Sequence, residues 1–290
     1  MTSSLPALSA RRKRLVPALL ASAMLTLGCG ASPTPLAPNQ FGSVGAPHHG
    51  VLTHSAELPV RGKGFRRFRP RSPVYHGLPR LVKAVEEAAA DVKETFPQSS
   101  PLVIGDLSAK TGGKIPRHNS HRSGRDVDLL FYVTSPSGIP RTNPGFYSIR
   151  ADGFVRFPDK SYGLLDLPRN WHLIQTLLQD PSIDVQFMFM SRNIEARIIE
   201  YALAKEDDLN LIWRAQTVMF QPGDSLPHAD HIHLRIACTP LESIHGCLGG
   251  GPRWSWYPPL PRLDLDSPLQ LSELIGSSDP LPPPLKLAKQ

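Results

Sequence analysis

From His231 to Ile236 the chain reads HIHLRI, with polar and apolar side chains alternating without a break. That two-residue period is the signature of a strand with one buried face. Ile232, Leu234 and Ile236 belong to the buried face. His231, His233 and Arg235 share the other. A strand of this kind, extending over 229–237 (ADHIHLRIA), must lie in a sheet whose apolar side is covered, and the neighbouring segments supply the cover.

Residues 79–96 (PRLVKAVEEAAADVKETF) place Leu81, Val82, Val85, Ala88, Ala89 and Val92 at helical spacing, with Pro79 suited to the first turn and Pro97 ending the element. Segments 167–179 and 194–204 read as two further helices. Segments 101–107 (PLVIGDL), 125–132 (RDVDLLFY) and 185–190 (VQFMFM) read as strands, and 134–164 as a Pro/Gly/Ser-rich insertion with a small hairpin. The fold class is α+β: a small, mostly antiparallel sheet with helices packed on it. Trp171 and Trp213 sit in apolar-periodic segments and are expected in the core. Trp254 and Trp256 lie in a loop, where they could wall a groove.

Core packing explains Ile232, Leu234 and Ile236 but not two imidazoles two residues apart on the opposite face. An exposed pair of histidines would satisfy the pattern. A second cluster, His118-Asn119-Ser120-His121 running into Arg125-Asp126-Val127-Asp128, favours chemistry instead. Asp126 and Asp128 share one strand face, and Gly124 lets the preceding loop turn so that His121 can meet Asp128 at one ion. Three protein ligands plus a water is the open arrangement of a catalytic zinc site.

The chain has 290 residues and a net charge of +7, which falls to +3 without Arg11, Arg12, Lys13 and Arg14. Those four precede a 14-residue apolar run, too short to span a bilayer, and together they read as a signal peptide over 1–29. LTLGC at 25–29 resembles a bacterial lipobox, with Thr26 where a branched residue is usual. Cys29 is thus the expected lipidation site, the other reading being an ordinary cleaved signal that discards it. Residues 30–65, rich in Pro, Gly, Ser and Ala, are expected to form a tether, 66–257 the folded domain, and 258–290 a Pro-rich tail. His48, His49 and His54 fall in the tether and are expected to be solvated. Export to an oxidising compartment leaves Cys238 and Cys247 to form a disulfide rather than bind metal. The modest mature charge and the export signal argue against nucleic acid as a partner.

His118-x-x-His121-x6-Asp128 together with His228-x-x-His231-x-His233 resembles the penicillin-insensitive murein endopeptidases. These belong to the superfamily of lysostaphin-type peptidases, D-alanyl-D-alanine peptidases and hedgehog proteins. The resemblance spans roughly residues 75–257 and includes Tyr75-His76-Gly77, LVIGDLS and Asn170-Trp171. It implies a hedgehog/D-Ala-D-Ala-peptidase-like fold, with one Zn2+ per chain held by His121, Asp128 and His233. His231 would be the catalytic histidine, and His118 and His228 further site residues. Arg125 and Asp126 would support the ligands or the structure. The implied activity is β-lactam-insensitive hydrolysis of D-alanyl–diaminopimelate cross-bridges in peptidoglycan. A D,D-carboxypeptidase or dipeptidase, and a non-catalytic zinc- or cell-wall-binding lipoprotein, are the alternatives. Lys114, Arg117, Arg122 and Arg125 are candidates for meeting a substrate carboxylate, each equally explicable as a solvated surface cation. The expected location is the periplasm, with a lipid anchor in the outer membrane because Gly30 is not an acidic retention signal.

Overall fold

A computed structural model of the chain describes residues 42–223, 225–249 and 251–258. The export segment with Cys29 and the tail from 259 lie outside the described residues. The elements run β1 (Ser43–Ala46), β2 (His49–Leu52), β3 (Ala56–Glu57), β4 (Arg61–Gly62), β5 (Phe65–Arg67) and β6 (His76–Gly77), then helix α1 (Pro79–Thr95). Next come β7 (Leu102–Ile104), β8 (Asp126–Leu130), β9 (Val133–Thr134), β10 (Pro140–Arg141), β11 (Phe154–Arg156) and β12 (Tyr162–Leu165). The second half holds α2 (Leu167–Gln179), β13 (Val185–Phe189), α3 (Arg192–Ala204), α4 (Leu209–Val218), β14 (Met219–Phe220), β15 (His231–Ile236) and α5 (Pro240–Ile244).

Seven strands form the central sheet in the order β14-β13-β15-β8-β7-β5-β4. β15 pairs antiparallel with both its neighbours, and only β13/β14 and β5/β7 run parallel. Ile232, Leu234 and Ile236 are fully buried, as the alternation requires. Helix α1 turns Leu81, Val82, Val85, Ala88, Ala89 and Val92 into the same core, its Pro79 sitting in the first turn where no backbone N–H is needed. Helix α2 is capped by the Asp166 carboxylate, which accepts from the Arg169 N–H. It buries Trp171, whose indole N–H donates to Asp207 at 2.7 Å. No helix among the described residues is long and apolar enough to cross a membrane.

Three expectations need correction. Residues 43–65 are not tether: they carry β1 to β4 and the start of β5, and Leu52 and Leu58 enter the core at 2 % and 0 % exposure. Their composition prevents independent folding, but the main sheet and the 246–248 loop supply partners. Gly45 N–H donates to Gly246 O at 2.7 Å, and Leu248 N–H to Gly45 O at 3.0 Å. The 134–164 insertion, together with Val133 and Leu165, folds into a four-stranded antiparallel sheet, β10-β9-β12-β11, rather than one hairpin. Trp213 is 49 % exposed, because α4 turns it outward against the edge of Trp256 at 5.1 Å.

Cys238 and Cys247 are joined in a disulfide that closes a nine-residue separation around α5. Closing a loop of that length removes chain entropy from the unfolded state worth about 2–3 kcal/mol. Reduction is therefore expected to lower the melting temperature by about 5–10 °C. Calorimetric scans with and without reductant test this; an unchanged midpoint would show that the bridge adds nothing.

Candidate metal centre

The β15/β8 register places His233 opposite Asp128, Arg235 opposite Asp126 and His231 opposite Leu130. Residues paired across a ladder project from the same face, so the two adjacent interior strands form the floor of the site. The β7–β8 loop brings in the third element. His121 adopts a left-handed backbone (φ 62°), Gly124 turns the chain at φ 76°, and the His121 ring is fully buried. Gly105 admits only a hydrogen: a Cβ there would lie 2.7 Å from the Phe146 ring and 2.9 Å from Asp128 Cβ.

Each imidazole has one nitrogen anchored and one free. His121 Nδ1–H donates to Leu107 O at 3.0 Å, which leaves Nε2 facing Asp128 Oδ1 at 3.2 Å. His233 Nε2–H donates to Asp126 at 2.9 Å and turns Nδ1 toward Asp128 Oδ1 at 3.6 Å. His231 Nδ1 is held by Asp230 at 2.6 Å, and its Nε2 lies 3.3 Å from Asp128 Oδ1. Such outward anchoring fixes the tautomer of a metal-binding histidine. His118 Nε2–H donates to Asp106 Oδ2 at 3.0 Å, and the His228 ring packs 5.2 Å from His231.

Potential ligand atoms fall into two trios, His118/His121/Asp128 and His228/His231/His233, the atoms of each within 4.8 Å of one another. The short distances from Asp128 to His121, His231 and His233 make them two halves of one centre. Neither oxygen of the buried Asp128 carboxylate has a hydrogen-bond partner among the described residues, and nor does His121 Nε2. A buried carboxylate left this way is costly unless a cation occupies the space before it. The donor set of imidazole nitrogens and one carboxylate suits zinc.

The electrostatics agree. Burial pushes the His233 imidazole down to about 4, with Asp126 opposing only in part, so it stands neutral as a ligand must. Burial also disfavours charge on Asp128, but His121 and His231 outweigh it and hold the carboxyl well below its usual range. For His231, burial is overcome by Asp128 and Asp230, and the imidazole rises to about 10. A cation on Asp128 would cancel that carboxylate's share of the rise.

The site opens into a cleft of about 1300 Å³. Asp230, Phe146 and Arg69 of its lining, and Asp106 behind His118, went unrecognised in the sequence. Asp230 neighbours His231 but points elsewhere by alternation. Phe146 meets the His231 ring edge-on at 5.2 Å and lies in the insertion, where no pattern marks it. Asp106 and Arg69 belong to segments legible only as strand and approach. His48, expected to be solvated, is exposed but lies on the cleft wall at the tip of the β1–β2 hairpin. Arg125 leaves the pool of substrate contacts: it is fully buried and donates to Leu248 O at 2.6 Å. Lys114 and Arg122 do not line the cleft, whereas Arg117 does.

No curated protein matches the chain. The sequence model of the penicillin-insensitive murein endopeptidases matches residues 43–248, from the first strand to just beyond the disulfide and across every residue of the centre. The chain is a metallopeptidase, and it belongs to the penicillin-insensitive murein endopeptidase family.

Proposed function

We propose that the chain is a zinc-dependent endopeptidase that hydrolyses D-alanyl–diaminopimelate cross-bridges of peptidoglycan. In this reading one Zn2+ is held by His121 Nε2, Asp128 and His233 Nδ1. The observation that carries it is the Asp128 carboxylate, buried without a hydrogen bond and faced by three imidazole nitrogens whose opposite nitrogens are anchored. Zinc bound there supplies Lewis acidity to a scissile carbonyl and brings the pKa of a water toward neutrality.

The remaining work falls to side chains. His231 is the proton carrier: its Nε2 faces the reaction space while Asp230 holds Nδ1. It takes a proton from the attacking water and returns one to the leaving nitrogen, the exchange that general acid–base catalysis requires. Phe146 packs against its ring and keeps it aimed. Asp126 orients His233 and His121 from behind, accepting from the His121 backbone N–H at 3.2 Å. His118 and His228 border the reaction space as further polar groups. No serine nucleophile is involved, so β-lactams have nothing to acylate.

Purified cross-linked muropeptide dimers should be converted to monomers, in the presence of penicillin and not in the presence of a chelator, with zinc restoring activity. Trimming of monomers without cleavage of dimers would point to a D,D-carboxypeptidase. Inertness toward both would leave a binding lipoprotein. Export, lipidation at Cys29 and anchoring in the outer membrane belong to the same proposal.

A further inference from the structure

Asp106 follows β7, lies behind His118 of the cleft wall and is 1 % exposed. Its Oδ2 accepts the His118 Nε2–H at 3.0 Å. The guanidinium groups of Arg69 and Arg117 both reach the same oxygen, each at 3.4 Å. Charge-assisted pairs are normally about 2.7–2.9 Å. Committed pairs in this fold match that: Arg235–Asp126 at 2.6 Å, Arg80–Glu242 at 2.6 Å and Arg169–Asp166 at 2.8 Å. Arg69 and Arg117 therefore share one oxygen already occupied by a histidine, and one positive charge on this wall stays unbalanced among the described residues.

Both arginines line the cleft. Arg69 is pre-positioned: its backbone N–H donates to the Tyr75 hydroxyl at 2.9 Å and its guanidinium lies over the Phe68 ring. Arg117 has a left-handed backbone at φ 67°, a conformation that costs an L-residue with a Cβ about 1 kcal/mol or more and clusters at ligand-binding loops. Its side chain is 61 % exposed. One imidazole separates this wall from the metal centre, since His118 Nε2 lies 3.0 Å from Asp106 and 3.9 Å from Asp128 Oδ2.

We propose that Arg69 and Arg117 form a carboxylate-binding subsite that selects amides whose nitrogen belongs to a residue bearing its own free carboxylate. This rests on the reading of the cleft as an amide-hydrolysing site. The two guanidinium groups offer N–H donors that Asp106 does not use, and their pairing with a carboxylate is the strongest planar recognition available to a protein. Arg235 also lines the cleft but differs from these two: its Nε–H donates to Asp126 at 2.6 Å, a close pair that balances its charge. Asp106 holds the two arginines at a common point and keeps their mutual repulsion in check.

The test is steady-state kinetics of the zinc-loaded enzyme, Arg117→Ala and Arg69→Gln on a cross-linked muropeptide dimer and on the same dimer with the diaminopimelate carboxyls converted to carboxamides. The wild type should prefer the acid by about tenfold or more in kcat/KM, the scale of a hydrogen-bonded ion pair. Each variant should lose that preference through a raised KM, with cleavage of the carboxamide little changed. Equal losses on both substrates, or no preference in the wild type, would overturn the subsite and leave the arginines as braces for Asp106. If neither dimer is cleaved, the endopeptidase reading fails by itself. Calorimetric titration of the zinc-loaded protein with N-acetyl-D-alanyl-D-alanine and its amide then decides the subsite, which requires tighter binding of the acid and is refuted by equal affinities.

Discussion

Asp128→Asn is expected to give a folded protein that purifies without stoichiometric zinc and hydrolyses cross-linked substrate on the order of a thousandfold more slowly or worse. Asparagine keeps the shape of the side chain and removes the charge that the cation needs. His121→Ala and His233→Ala should behave alike, because each deletes a nitrogen whose orientation is fixed from the far side. His231→Ala should part company with these three. It should retain zinc and still lose turnover by roughly 10²–10⁴-fold, the range for a displaced general acid–base. Metal content and activity measured on the same preparations separate the two classes. Full activity in His233→Ala would sink the ligand assignment. A physical corollary accompanies the first result: in metal-free protein Asp128→Asn should lower the melting temperature, since it leaves the His121 and His231 imidazoles facing a neutral amide instead of the carboxylate that pairs with them.

Asp126→Asn carries the second-largest expected effect, although Asp126 lies behind the ligands. Its carboxylate accepts from the His121 backbone N–H, from His233 Nε2–H and from Arg235, whose guanidinium is 2.6 Å away. Burial opposes its charge, but Arg235 and then His233 hold it ionised well below the usual carboxylate range. An amide at that position offers only one acceptor oxygen and turns an N–H2 toward existing donors. Zinc affinity should fall about 10–100-fold, as it does when the outer partner of a metal-bound histidine is lost. Competition with a chromophoric chelator reads the affinity directly. An Asp126→Asn protein that binds zinc like the wild type would show that His233 keeps its orientation through strand pairing alone.

The parts of the site carried by strands were legible because a two-residue period assigns faces by itself. His231 and His233 on one strand and Asp126 and Asp128 on another could be placed on the same side of a sheet from alternation, and the β15/β8 register joins them. Helices α1 and α2 were legible for the same reason at a different period. What alternation cannot convey is which loop returns to the sheet. Arg69 and Phe146 reach the cleft, and Asp106 reaches His118 behind its wall, through connections whose path is set by tertiary packing, and His48 through a hairpin hidden in tether-like composition. That hairpin shows the limit of composition most clearly: Pro, Gly and Ser forbid an independent core there, but they do not forbid pairing onto one built by other residues. Helix α4 was missed because Leu209 and Trp213 face outward and blur the apolar stripe of Leu211, Ile212, Ala215 and Val218.

The interior position of β8 and β15 has a consequence for motion. Their backbone amides are bonded on both sides within a seven-stranded sheet, so these strands are expected to exchange hydrogen only when the sheet as a whole opens. The atoms that hold the metal would then have an opening free energy close to that of global unfolding. The cleft walls differ: Arg117 and Ser225 stand on loops with no ladder behind them. A floor that yields last and walls that yield first allow such a cleft to admit a bulky, cross-linked polymer and re-form around it without disturbing the geometry of the ion.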